Sequence, residues 1–208
     1  MSTKSDNPIN RDGQDRRSQR TRQALIDALI TLLANKQYDA ISIKEIVDQA
    51  NIGRSTFYAH YQTKDDLLKD GFARVLDLLL EHIVLSEAEH NLKLDTTLLF
   101  RHAQGHYQLY RTLAWGSGLE LLTRDGHAAL SAKFQESFTL LLSGKPEPSI
   151  PLDVLSYSLA GTLLILLKWW LDHMMPYTPE HMDEIFQQLA MSNVKNILGL
   201  TETVAKQN

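Results

Sequence analysis

Ser42-Ile-Lys-Glu-Ile-Val-Asp-Gln-Ala50, then Asn51-Ile-Gly53, then Arg54-Ser-Thr-Phe-Tyr-Ala-His-Tyr61 is the stretch that decides how the chain folds. Ser42 and Glu45 stand at the spacing of a capping box, which satisfies two backbone donors at a helix start. Ile43, Ile46, Val47 and Ala50 follow at i, i+3, i+4, i+7 and mark one buried face. Asn51-Ile52-Gly53 reads as a turn, with Gly53 expected to take a positive φ. A third helix is predicted over 54–61. Phe57 and Tyr61 lie four apart in it and are expected to pack on Ile43, Ile46 and Val47. Arg54, Ser55, Thr56, Tyr58 and His60 then remain near the outside. Such a set suits a nucleic acid: Arg forks onto guanine, Ser and Thr reach base edges or phosphates, and Tyr58 with the nearby Lys64 suits phosphate oxygens.

Outward from this stretch, helical periodicity dominates, with no convincing strand alternation. Residues 1–15 are polar and read as a disordered tail without a leader peptide. A supporting helix is predicted over 16–35 from Ala24, Leu25, Ala28, Leu29, Leu32 and Leu33, with Arg16, Arg17, Arg20 and Arg22 at its start. Thr63 with Asp66 repeats the cap signal and opens a helix to about residue 86. A long helix, two short ones and a tight turn outline a helix-turn-helix. An ordinary helical hairpin with a solvated polar face fits the same spacing.

Residues 16–68 resemble the N-terminal domain of the tetracycline-repressor (TetR/AcrR) family of transcriptional regulators. The resemblance rests on the apolar first helix, Ser42–Ala50, Asn51–Tyr61 and Thr63-Lys-Asp-Asp-Leu-Leu68. Tyr61 stands where the family more often has Phe. The resemblance implies an all-α homodimer that binds a palindromic operator in double-stranded DNA. It also implies a divergent C-terminal domain sensing a small molecule. Carried over residue by residue, it places Ser42 and Lys44 near phosphates and Arg54, Ser55 and Thr56 in the groove. It puts Tyr58, His60 and Lys64 on the backbone, with Arg16, Arg17 and Arg20 as further phosphate contacts or a solvated basic end. The expected organisation is a tail at 1–15, a DNA-binding head at 16–64, a connecting helix at 65–86, and a sensing and dimerisation domain at 87–208.

The body carries weaker signals. Helices are predicted over 95–114, 126–142 and 151–173, with a short element at 118–122 and a last helix from the Thr178 cap and Pro179 to about 200. His102 and His106 share a helical face at a spacing that could chelate a metal, yet no third ligand accompanies them and no metal or cofactor is expected. With Tyr110, Trp115, Phe134 and Phe138 they are the candidate lining of a cavity for a mostly apolar effector. The stretch Leu155–Leu167 runs 13 residues between Asp153 and Lys168, short of the roughly 20 that a membrane span needs, and reads as buried in protein. Ala160, Gly161, Leu163, Leu164 and Trp169 are the candidate dimer contacts.

Composition bounds the rest. The 208 residues are 43% hydrophobic and 22% charged, as in an ordinary globular protein. The absence of cysteine excludes disulfides and thiolate chemistry and fits a cytoplasmic setting. The net charge of −4 hides an asymmetry: 10 Lys+Arg face 7 Asp+Glu up to residue 64, and 11 face 18 beyond it. A basic patch on an acidic body is compatible with local phosphate contact. A small helical enzyme using the His pair or His127 lacks a phosphate loop, a nucleophile motif or paired carboxylates. A helical adaptor that binds only protein is the other alternative.

Overall fold

The computed structural model describes residues 8–83, 85–88, 91–114, 117–144, 147–192 and 194–200. Helix α1 spans Pro8–Leu33, so it begins inside the segment read as a disordered tail. Arg and Gln are good helix formers, and a helix nucleated by the Leu25–Leu33 face extends outward cheaply. A 3-10 turn at Tyr38–Ala40 leads to α2 (Ile43–Ala50), α3 (Arg54–Tyr58) and α4 (Lys64–Glu81). Both expected capping boxes form, Ser42 with Glu45 and Thr63 with Asp66.

The turn between α2 and α3 differs from expectation in one respect. Asn51, not Gly53, takes the left-handed conformation (φ 53, ψ 46), while Gly53 is extended (φ −66) and caps α3. Asn is the non-glycine residue that tolerates this region best, because its short amide bonds locally. Helix α3 is also shorter than 54–61, ending at Tyr58.

Beyond α4 the chain departs further from an all-helical reading. Helix α4 stops at Glu81, and Leu85–Ala88 (β1) pairs antiparallel with Asn91–Leu94 (β2), Leu85 opposite Leu94. The fold remains all-α in class. Helix α5 (Thr97–Gly105) breaks at His106 before α6 (Tyr107–Ala114). Helix α7 (Ser117–Leu141) runs unbroken where the sequence suggests two elements. Gly126 lies within it because a Cβ there would sit 3.3 Å from the Phe72 ring of α4. Helix α8 is Leu152–Asp172 and α9 is Pro179–Phe186, with Thr178 as its cap. A π-helical stretch, Gln187–Met191, and α10 (Val194–Ile197) follow.

Two hydrophobic cores form. The head core gathers Leu25, Leu29, Leu33, Tyr38, Ile46, Val47, Phe57, Tyr61 and Leu67, and also Leu113 from α6. The body core gathers Phe100, Phe134, Phe138, Leu163, Trp170 and Phe186. Helix α8 is long and apolar enough to cross a bilayer by length and composition, but here it packs along α7 with Leu155, Leu159 and Leu163 buried.

Candidate nucleic-acid interface and internal cavity

Helix α3 presents two faces. Phe57 is fully buried and Tyr61 nearly so, in one cluster with Ile46 and Val47. Arg54, Ser55 and Tyr58 are exposed and Thr56 and His60 half-buried, as the spacing predicts. The Arg54 guanidinium lies 5.8 Å from the Tyr58 ring centroid, so the two side chains limit each other's freedom. Lys44 is exposed on α2.

Two expected phosphate contacts are committed elsewhere. The Ser42 hydroxyl donates to Glu45 Oε2 at 2.8 Å, and the Ser42 N–H donates to the same oxygen at 2.9 Å. Lys36 also pairs with Glu45. That bond, followed by those from Ser42, holds the Glu45 carboxyl down to about 2. Ser42 therefore has no donor left for a phosphate while the cap is closed. Lys64 donates to the carbonyls of Tyr38 (2.8 Å), Ile41 (3.0 Å) and Asp39 (3.3 Å), and lies 4.5 Å from the Tyr38 ring centroid. An ammonium has three donors, so Lys64 positions the start of α4 rather than facing DNA. Tyr38, which nothing in the sequence singles out, is the hub of this corner. It is fully buried and donates its hydroxyl to Asp65. Burial, then Asp65, raises that hydroxyl far above the usual tyrosine range.

Known proteins share this head. The family model "Bacterial regulatory proteins, tetR family" matches residues 25–70. The likeness to the TetR family lies in this head. An uncharacterized HTH-type transcriptional regulator, YxbF of Bacillus subtilis, is 38% identical over 81 residues, 38% of this chain and 21% of that protein. The biofilm operon icaADBC HTH-type negative transcriptional regulator IcaR of Staphylococcus aureus is 26% identical over 76 residues, 36% of this chain and 41% of IcaR. The matches thus span about a fifth and two-fifths of these relatives. The structure of a TetR transcriptional regulator from Streptococcus agalactiae aligns with a TM-score of 0.58 at 24% identity. It covers 85% of this chain and 97% of that one, and so extends the TetR-like fold into the body.

Behind the TetR-family head lies a cavity of about 570 Å³. Phe72, Leu76 and Leu79 of α4, Tyr107 and Tyr110 of α6, His127 of α7 and Leu164 of α8 are among its walls, with Arg111 and Lys168 at polar points. Among the described residues of the expected lining, Tyr110 alone is placed there; burial pushes its hydroxyl up to about 12. Phe134 and Phe138 are fully buried in the body core instead, and Trp115 lies outside the described residues. Aromatic spacing cannot tell a wall that faces a void from one that faces another side chain.

His102 and His106 do meet, with ring centroids 4.5 Å apart, and His102 lies edge-on to Tyr110. Neither is among the cavity walls. Burial first, then His106, lowers His102 to about 4. A histidine held neutral in the fold protonates more readily once unfolded. Its contribution is therefore present above about pH 6.5 and is lost as the pH falls towards 4. Up to about 3 kcal/mol is at stake over that window. Melting scans of wild type and His102→Gln between pH 7 and 4 check this: the variant should lose less stability on acidification. Parallel curves would show that His102 is not the responsible group.

The expected dimer contacts divide in the structure. Ala160 and Leu163 are fully buried in the chain's own core. Gly161 and Leu164 face the cavity, and a Cβ on Gly161 would lie 3.4 Å from His127 Nε2. Only Trp169 remains outward, stacked on His173. The outward apolar stripe of α8 is instead Val154, Tyr157, Ile165 and Trp169, with Ile165 70% exposed.

Proposed function

We propose that this protein is a cytoplasmic, homodimeric DNA-binding transcriptional repressor, released from a palindromic operator by a mostly apolar small molecule. The two-faced helix α3 carries this reading: its aromatic side is locked in the head core, and Arg54, Ser55 and Tyr58 are held outward. The negative regulator IcaR among its relatives supports repression rather than activation. A head at 16–64, a connection at 65–86 and a sensing body from 87 remain the working division. The head core nonetheless draws on α4 and α6 as well.

Helix α6 supplies a physical route from effector to DNA. Tyr107, Tyr110 and Arg111 line the cavity, while Leu109 and Leu113 pack into the head core. The start of α7 presses on the same place, since a Cβ on Gly118 would meet Leu113 at 2.8 Å and Tyr38 at 3.3 Å. Phe72 of α4 also touches both the cavity and the head core. A ligand that displaces α6 or Phe72 must repack the corner that Tyr38 and Lys64 hold. It releases DNA only as far as it prefers the released state, about 1.4 kcal/mol per tenfold loss of affinity.

Fluorescence anisotropy on fragments from upstream of its own gene tests the reading. Log affinity should fall linearly with log salt, by roughly 0.9 per phosphate neutralised. Arg54→Ala should cost about 1–3 kcal/mol on the specific site, and Tyr58→Phe should weaken all sequences alike. Lys64→Ala should show mainly as a loss of stability. Binding to no genomic fragment, or binding indifferent to salt, would reject the proposal.

A further inference from the structure

A cleft of about 530 Å³ lies between α1 and α4. Its walls are Arg16, Gln19, Arg20, Arg22, Gln23 and Arg74. Four guanidiniums thus share one concavity, three of them from a single short stretch of α1. Like charges gather on a helix face only against their mutual repulsion. The carboxylate that meets Arg74 is Asp70, 3.2 Å from Nη2. Asp70 is already shared, because it accepts the Tyr61 hydroxyl at 2.5 Å, and the charge of Arg22 also acts on it. That one shared carboxylate does not neutralise Arg20, Arg22 and Arg74 together. The Nε of Arg22 is buried and has no hydrogen-bond partner among the described residues. A buried donor left unmade is costly, and native structures rarely retain one without a use.

We propose that the cleft is a binding site for a phosphate group. Planar guanidiniums present forked donors that match phosphate oxygens, and several of them around one concavity suit a doubly charged anion better than a single carboxylate. Two sources carry that chemistry: the backbone of DNA flanking the half-site, or a free phosphorylated small molecule. The cleft is one hydrogen-bonded step from the reading head, since Arg74 holds Asp70 and Asp70 holds Tyr61, just beyond the end of α3.

Isothermal titration of the full chain with sodium pyrophosphate, in phosphate-free buffer and without DNA, is the first arm. Saturable binding is expected, weakened at least about tenfold in Arg20→Gln/Arg22→Gln and in Arg74→Gln, with melting curves confirming that each variant is folded. The second arm is anisotropy on a random duplex of about 30 base pairs across a salt series. If the phosphate is that of DNA, the double variant should lower the slope of log affinity against log salt by about 0.9 for each phosphate it no longer neutralises. If it is a free anion, pyrophosphate binding should fall in the variants while that slope is unchanged. Equal pyrophosphate binding by wild type and variants means an adventitious ion only and overturns the site. So does an absence of binding at millimolar pyrophosphate together with an unchanged slope. Pyrophosphate binding by a chain that holds no DNA would reject the repressor reading and leave this site standing.

Discussion

Tyr157→Asp and Ile165→Asp are each expected to convert the proposed dimer into a folded monomer of 23.6 kDa. Both side chains stand on the outward stripe of α8, 65% and 70% exposed in the single chain. Within that chain only 33% of the most apolar window of α8 is buried. A long apolar helix left mostly uncovered is the surface that a second copy would cover, and a twofold pairing places the same stripe against itself. A carboxylate there loses its hydration on pairing. Operator affinity should fall by about 10²–10⁴, because two linked heads gain that factor over one. Leu163→Asp, two residues from Ile165, should behave differently. Leu163 is fully buried in the chain's own core, so an Asp there costs at least about 4 kcal/mol of folding stability. Light scattering and melting curves separate the two outcomes. A Tyr157→Asp protein that stays dimeric and keeps full affinity would place the interface elsewhere.

Asp183→Ala is expected to be the most destabilising single change of a polar side chain in the body. Asp183 is 2% exposed and lies on α9. Its Oδ1 accepts the Thr96 N–H at 2.8 Å and the Thr96 hydroxyl at 2.7 Å, and Gln187 Nε2 at 3.1 Å. Lys93 lies 3.3 Å from its other oxygen. Gln187 continues the seam by donating to the Leu94 carbonyl at 2.7 Å. This set of bonds fixes the end of the hairpin and the start of α5 against α9. Alanine removes the acceptor and leaves the buried Thr96 donors unmatched, for about 3–5 kcal/mol. The midpoint should drop by about 6–20 °C for a chain of this size. Asp183→Asn retains an acceptor and should lose less. A midpoint within about 2 °C of wild type for the alanine variant would mean that water replaces the carboxylate.

Local signals along the chain settle the head. Two capping boxes, an i, i+3, i+4, i+7 stripe and an aromatic pair four apart are local signals, all within Ser42–Leu68. Each states its own geometry because both partners lie within one or two helical turns. They sufficed to place Phe57 and Tyr61 inside and Arg54, Ser55 and Tyr58 outside. Helix α8 was legible as apolar, but not which of its sides met what. A helix apolar all round has no preferred face until its neighbours are in place, so Leu163 and Ile165 look alike in sequence and lie on opposite sides of α8. The strands carry no readable pattern, because Leu92-Lys93-Leu94 alternates over too few residues to stand out. Lys64 reads as a free cation until the Tyr38 turn, 26 residues earlier, supplies its carbonyls. Asp183 and Thr96 are 87 residues apart, the cavity needs several helices to enclose it, and the arginine cleft needs Arg74 brought to α1. Such partners meet only when the chain closes on itself, because burial and charge pairing depend on distance in space and not along the chain.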